Sequence, residues 1–179
     1  MAGVLLDPAQ AVTLEVHGDT EAAVLVPLYV GSDGRAHGVF TRRRDDLRRH
    51  PGEVSFPGGQ REDADGGLID TALREAHEEI GLPADAVTIV GALQPTPTMV
   101  TGYAIYPFVG VIEPGHVWDP AAAEVAQVIE LGLDDLRAGH GLRPITRRGM
   151  TFDTDTYVVG DVTIWGATAR ILANLLALI

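Results

Sequence analysis

Apolar residues in this chain come in short blocks divided by turn-forming residues, the rhythm of a sheet protein carrying a few helices. Residues 21–30 form a continuous Ala/Val/Leu-rich run that predicts a buried strand. Gly31-Ser32-Asp33-Gly34 supplies turn chemistry, and Gly38-Val39-Phe40-Thr41 reads as the returning strand of a hairpin. Residues 42–51 follow as a charged loop. Helical composition begins at residue 72 and runs to 80; Asp-Ala-Asp at 63–65 offers an N-cap, Gly81 a left-handed stop, and Pro83 follows. Residues 87–93, 104–112 and 125–131 read as further strands, 134–138 as a short helix, and 157–164 as a hairpin. The final segment sets Trp165, Thr168, Ala169, Leu172, Leu175, Leu176 and Ile179 on one face of a helix, where Trp165 reads as a core anchor.

The pattern predicts an α/β fold, and 179 residues without repeat or linker fit a single domain over 1–179. The absence of cysteine excludes a disulfide scaffold, a thiolate zinc site and a cysteine nucleophile. The first residues carry no basic leader, and the apolar tract from Ile171 is too short to span a bilayer, so the expectation is a soluble, cytoplasmic protein without a membrane partner. A formal charge of −12 repels nucleic-acid backbones and argues against a nucleic-acid partner. An acidic protein that handles phosphates needs cations to bridge the two.

Arg74-Glu75-Ala76-His77-Glu78-Glu79 is the most informative stretch. On a helix, Glu75 meets Glu78 at i+3 and Glu79 at i+4, and each like-charge pair costs roughly 0.2–0.5 kcal/mol. Gly81 ends the helix just beyond, so these acids stand where the macrodipole is already negative. Three carboxylates in that position suit a hard divalent cation; a solvated acidic face is the alternative. Upstream, Phe56-Pro57-Gly58-Gly59 is a stiff approach to a glycine turn at which backbone can meet a phosphate or simply fold tightly.

Gly59, Asp65 and Arg74-Glu75-Ala76-His77-Glu78-Glu79-Ile80-Gly81-Leu82 together resemble the box of the Nudix family. Asp65 stands where that box has a glutamate, and the gap from it to Arg74 is one residue longer than usual. The resemblance implies a three-layer α/β/α sandwich with a mixed β-sheet. It also implies Mg²⁺ or Mn²⁺ as cofactor, Glu75, Glu78 and Glu79 as metal ligands and catalytic acids, and Arg74 as the partner that orients a glutamate. Glu124 resembles the downstream acid that supplies a further ligand or base, and a homodimer is an assembly the family suggests.

A second pattern, Thr41, Arg43, Arg48, Gly52 and Phe56-Pro57-Gly58-Gly59, resembles the signature of coenzyme A and acyl-CoA diphosphatases. Val39-Phe40 and Arg44 depart from the usual residues there. The resemblance implies hydrolysis of a small nucleotide diphosphate, giving 4′-phosphopantetheine and 3′,5′-ADP when coenzyme A is the substrate. Five of the 13 basic residues lie within 42–49, which suggests an anion dock. Arg43 is expected to read the 3′-phosphate, with Arg48, Gly58 and Gly59 as further substrate contacts. ADP-ribose, dinucleoside polyphosphates and nucleoside triphosphates are the rival substrates, and a non-catalytic nucleotide sensor the rival class. No His-Glu-x-x-His or Gly-x-Ser-x-Gly is present, so a zinc protease and a serine hydrolase have no support.

Overall fold

The apolar run becomes the central strand β1 (Thr20–Val30), because its alternate residues serve two different cores. Ala23 and Leu25 pack on one side, Val24 and Val26 on the other. A computed structural model describes residues 4–47, 50–98, 102–147 and 149–179. After a short α1 (Pro8–Ala11) and β1 come β2 (Ala36–Arg43), β3 (Val54–Ser55), β4 (Gly58–Gln60) and α2 (Leu68–Ile80). Then follow β5 (Thr88–Ala92), β6 (Thr96–Pro97), β7 (Tyr103–Val111), β8 (Val125–Gly132) and α3 (Leu133–Gly139). The chain ends with β9 (His140–Arg147), β10 (Met150–Val159), β11 (Val162–Ile164) and α4 (Gly166–Leu176).

The main sheet is mixed. Its order is β3-β2-β1-β7-β5, with β4 added on β1, β6 on β7 and β8 on β2. The β1–β7 pair is parallel from Thr20↔Tyr103 to Leu28↔Val111, and the other pairs are antiparallel. Helix α2 covers one face, burying Leu68, Ala72, Ala76 and Ile80 against Ala23, Leu25, Val39 and Phe108. On the other face α4 buries Ala169, Ile171, Leu172 and Leu175 against Val26, Phe40 and Phe56, together with the small sheet β11-β10-β9. This is the expected three-layer α/β/α arrangement.

Several boundaries move for identifiable reasons. Strand β2 takes in Arg42 and Arg43, expected in the loop, because its backbone is satisfied by β3 on one side and β8 on the other. Helix α2 starts at Leu68 behind Gly67, with no side-chain cap; the Asp65 carboxylate is used elsewhere. Its end is as expected: Gly81 has φ 71°, and the amides of Gly81 and Leu82 close on the carbonyls of His77 and Ala76. Strand β9 had no counterpart in the expected elements. In α4, Trp165 takes the N-cap position, Ile171 joins the buried face, and Ile179 remains exposed.

Candidate active site

Strand β4 pairs with β1 from Ala22↔Gln60 to Val24↔Gly58, which fixes the glycine turn against the last turns of α2. A Cβ on Gly59 would lie 2.2 Å from Glu75 Oε1, and one on Gly58 would lie 2.4 Å from the Ala23 carbonyl oxygen. Gly58 needs glycine because it meets β1 backbone directly, while a side chain on Gly59 would displace the Glu75 carboxylate. The Gly58 amide donates to Glu79 Oε2 at 3.2 Å. The chain therefore brings Gly58, Gly59, Glu75 and Glu79 together.

Arg74 organises the acids around it. Its Nε donates to Asp65 Oδ1 at 2.9 Å and its Nη2 to Asp65 Oδ2 at 3.1 Å. Nη1 donates to Glu75 Oε1 (3.1 Å) and Glu78 Oε2 (3.0 Å), and Nη2 also to the Gln60 carbonyl (3.2 Å). These bonds engage all the N–H donors of a guanidinium. Asp65 is itself buried, with its side chain 4% exposed, and also accepts from the Glu62 amide and the Thr71 hydroxyl. The hydrogen bonds from Arg74 come first among the causes that hold its carboxyl well below the usual carboxylate range. Asp65 thus locks Arg74 across the longer gap, a role the sequence reading did not assign. Its place at the first acidic position of the box was the available signal.

The three glutamates of the box are not equivalent. Glu78 turns to Arg74, and its side chain stays 57% exposed. Glu79 is buried, and burial pushes its pKa up to about 7; the charges of Glu75 and Glu124 act in the same direction, while the Gly58 amide and Arg43 oppose. Burial also raises Glu75, against the pull of Arg74. Glu124, just before β8, keeps a 55% exposed side chain and faces Arg43, with Nη1 to Oε2 at 3.8 Å.

Of the described arginines from 42 to 44, one points to the site. Arg42 pairs with Asp161, and Arg44 is held by both carboxylate oxygens of Asp46 and by the Ala122 carbonyl. Arg43 lies between Glu79 and Glu124, and its Nε is buried without a hydrogen-bond partner among the described residues. It stands beside the carboxylates and not in an outlying cluster of cations. Arg48 lies outside the described residues.

The donor chemistry fits a divalent cation: hard carboxylate oxygens, with part-buried Glu75 and buried Glu79 both raised towards the protonated form. Among the described residues, no three His, Asp or Glu side chains are disposed to hold an ion as they stand. Arg74 occupies Glu75 and Glu78 instead. The half-exposed side chains of Glu78 and Glu124 are the ones with room to turn inward.

A sequence model described as the NUDIX domain matches residues 19–149. An uncharacterized Nudix hydrolase NudL of an Enterobacter species is 38% identical over 157 residues, covering 87% of this chain and 80% of the relative. A MutT/nudix family protein from Enterococcus faecalis superimposes with a TM-score of 0.59 at 13% identity, covering 94% of this chain and 64% of the other. The NUDIX domain of Shewanella oneidensis NrtR, solved with ADP ribose, gives 0.53 at 14% identity, over 70% of this chain and 79% of that one. This chain belongs to the Nudix family. It is a hydrolase acting on pyrophosphate bonds of nucleotide-linked substrates, in a family that uses divalent metals. No described helix is long and apolar enough to cross a membrane.

The raised Glu79 carboxyl has a measurable consequence. Between about pH 4.5, where an unfolded glutamate titrates, and about pH 7, the metal-free folded protein holds a proton that the unfolded chain has lost. Stability must fall as pH rises through that window. Thermal melts in a chelator should show the wild type losing stability, on the order of 1–3 kcal/mol, between pH 5 and 7.5 relative to Glu79→Gln. Parallel pH profiles for the two proteins would contradict the assignment.

Proposed function

We propose that the enzyme hydrolyses the diphosphate of coenzyme A or its acyl thioesters, using Mg²⁺ or Mn²⁺. The observation that carries this reading is the packing of part-buried Glu75 and buried Glu79 against Gly58-Gly59, with an Arg43 Nε that has no partner among the described residues beside them. These residues are also the ones that the coenzyme A diphosphatase signature and the Nudix box have in common with this chain.

Glu75, Glu78, Glu79 and Glu124 are the residues that would hold the cation. When bound, it supplies polarisation of phosphoryl oxygens and a more acidic water. The chain's own groups do the rest. The glycine turn lets the diphosphate approach the backbone closely, without side chains in the way. Glu79 or Glu75 takes the proton of the attacking water, with Arg74 fixing the orientation of Glu75. Arg43 donates to a diphosphate oxygen, leaving its distant contact with Glu124. Water attack on one phosphorus breaks the P–O–P bridge, and coenzyme A yields 4′-phosphopantetheine and 3′,5′-ADP.

A second reading, ADP-ribose as substrate, is favoured by the fold likeness to a NUDIX domain solved with that ligand. Incubation of the pure protein with coenzyme A, ADP-ribose and a dinucleoside polyphosphate, each with Mg²⁺ or Mn²⁺, separates the readings by their products. Coenzyme A is expected to turn over fastest. Glu79→Gln should lower that rate at least about 10²-fold while remaining folded, a loss on the scale of removing a general base. Turnover of ADP-ribose alone would overturn the coenzyme A reading, and a fully active Glu79→Gln would overturn the site.

The position of Arg43 changes what its substitution should do. Arg43→Ala is expected to reduce kcat/KM about 10- to 100-fold on both coenzyme A and dephospho-coenzyme A, since both carry the diphosphate. A loss confined to coenzyme A would return Arg43 to the 3′-phosphate role that the sequence suggested.

A further inference from the structure

A cavity of about 230 Å³ opens on the face of the sheet away from α2. Val24 of β1, Ile105 of β7, Phe56, and Ala167 and Ile171 of α4 supply its apolar walls. Gly58 and Gly59 line it as well, and these glycines meet Glu79 and Glu75 on their other side. The cavity therefore begins where a diphosphate resting on the glycine turn would end. Among the described residues, no charged side chain and no histidine lines it.

These features select among the parts of a nucleotide diphosphate. A phosphate monoester would give up part of its hydration in this half-open, apolar-walled cavity and find no cation among the described lining residues in return. The volume lies below the roughly 300 Å³ at which pockets take a whole drug-sized ligand, so one arm fits and a complete nucleotide does not. The few polar groups, among them the Ser55 and Thr168 hydroxyls, suit a hydroxyl or an amide and not an ion. Next to its diphosphate, coenzyme A carries on one side a ribose bearing a charged 3′-phosphate. On the other side it carries a carbon with two methyl groups, then a hydroxyl and an amide.

Resting on the coenzyme A reading, we propose that this cavity is the subsite for the branched, uncharged pantetheine arm. The substrate then lies with that arm under α4 and its adenosine 3′-phosphate outside. The α4 wall of the cavity, Ala167, Thr168 and Ile171, lies beyond residues 19–149, the segment that matches the NUDIX domain. The arm's two methyl groups meet Val24, Ile105 and Ile171, and its hydroxyl and amide meet the Ser55 and Thr168 hydroxyls.

Filling the cavity tests the assignment. Ala167→Leu and, independently, Thr168→Leu narrow it, and thermal melts establish that each variant folds. Product inhibition during coenzyme A hydrolysis is the readout. Either folded variant should raise Ki for 4′-phosphopantetheine and KM for coenzyme A about tenfold or more, with Ki for 3′,5′-ADP unchanged within about twofold. A rise confined to 3′,5′-ADP would place adenosine in the cavity and overturn the proposal, as would unchanged values for both products. Each of these outcomes leaves coenzyme A as the substrate. A wild type that cleaves other diphosphates and no coenzyme A overturns the underlying reading as well.

Discussion

The close contact between the Gly58-Gly59 turn and the last turns of α2 is the constraint on which the site depends. Gly58 lets strand β4 close on β1 at Ala23 and Val24 while its amide meets Glu79, and the space left by the missing side chain of Gly59 is taken by Glu75. Burial then makes both carboxylates reluctant to ionise. A protein built only for stability has no use for that arrangement, because the same positions filled by apolar side chains cost nothing in desolvation. The strain is retained at the point where a cation and a diphosphate would relieve it.

Arg74 and Asp65 hold the arrangement in place from outside. The guanidinium uses its donors on Asp65, Glu75, Glu78 and the Gln60 carbonyl, and so ties the helix to strand β4 and to the loop that joins them. Its charge offsets part of the repulsion among the acids without filling the interior. Arg43, from β2, offsets the charge of Glu79 and leaves one buried donor without a partner among the described residues. In a chain with a formal charge of −12, this placement of two cations matters more than the total of basic residues.

Much of this was legible in the sequence, and the failures have physical reasons. The run that forms β1 and the glycine that stops α2 are local signals, since burial and a left-handed backbone each restrict residue type. The long β9–β10 hairpin is held by backbone pairs from His140↔Tyr157 to Arg147↔Met150, and its largely exposed side chains leave little pattern to read. The acids of the box were legible as a cluster. That Glu78 would face solvent while Glu75 and Glu79 turned inward depended on Arg74 and on the glycine turn, which are tertiary contacts. Arg43 was legible in principle: two-residue alternation from the buried Val39 puts it on the face of α2, once β2 is known to continue that far.

Glu75 and Glu79, drawn inward without a full set of partners, are a cation site in waiting. Calorimetric titration of Mg²⁺ and Mn²⁺ into the folded wild type and into the Glu75→Gln/Glu79→Gln double variant, with a non-hydrolysed diphosphate present, addresses it directly. Saturable binding is expected in the wild type and is lost in the folded variant. Equal binding by the two proteins, or none by either, would contradict it.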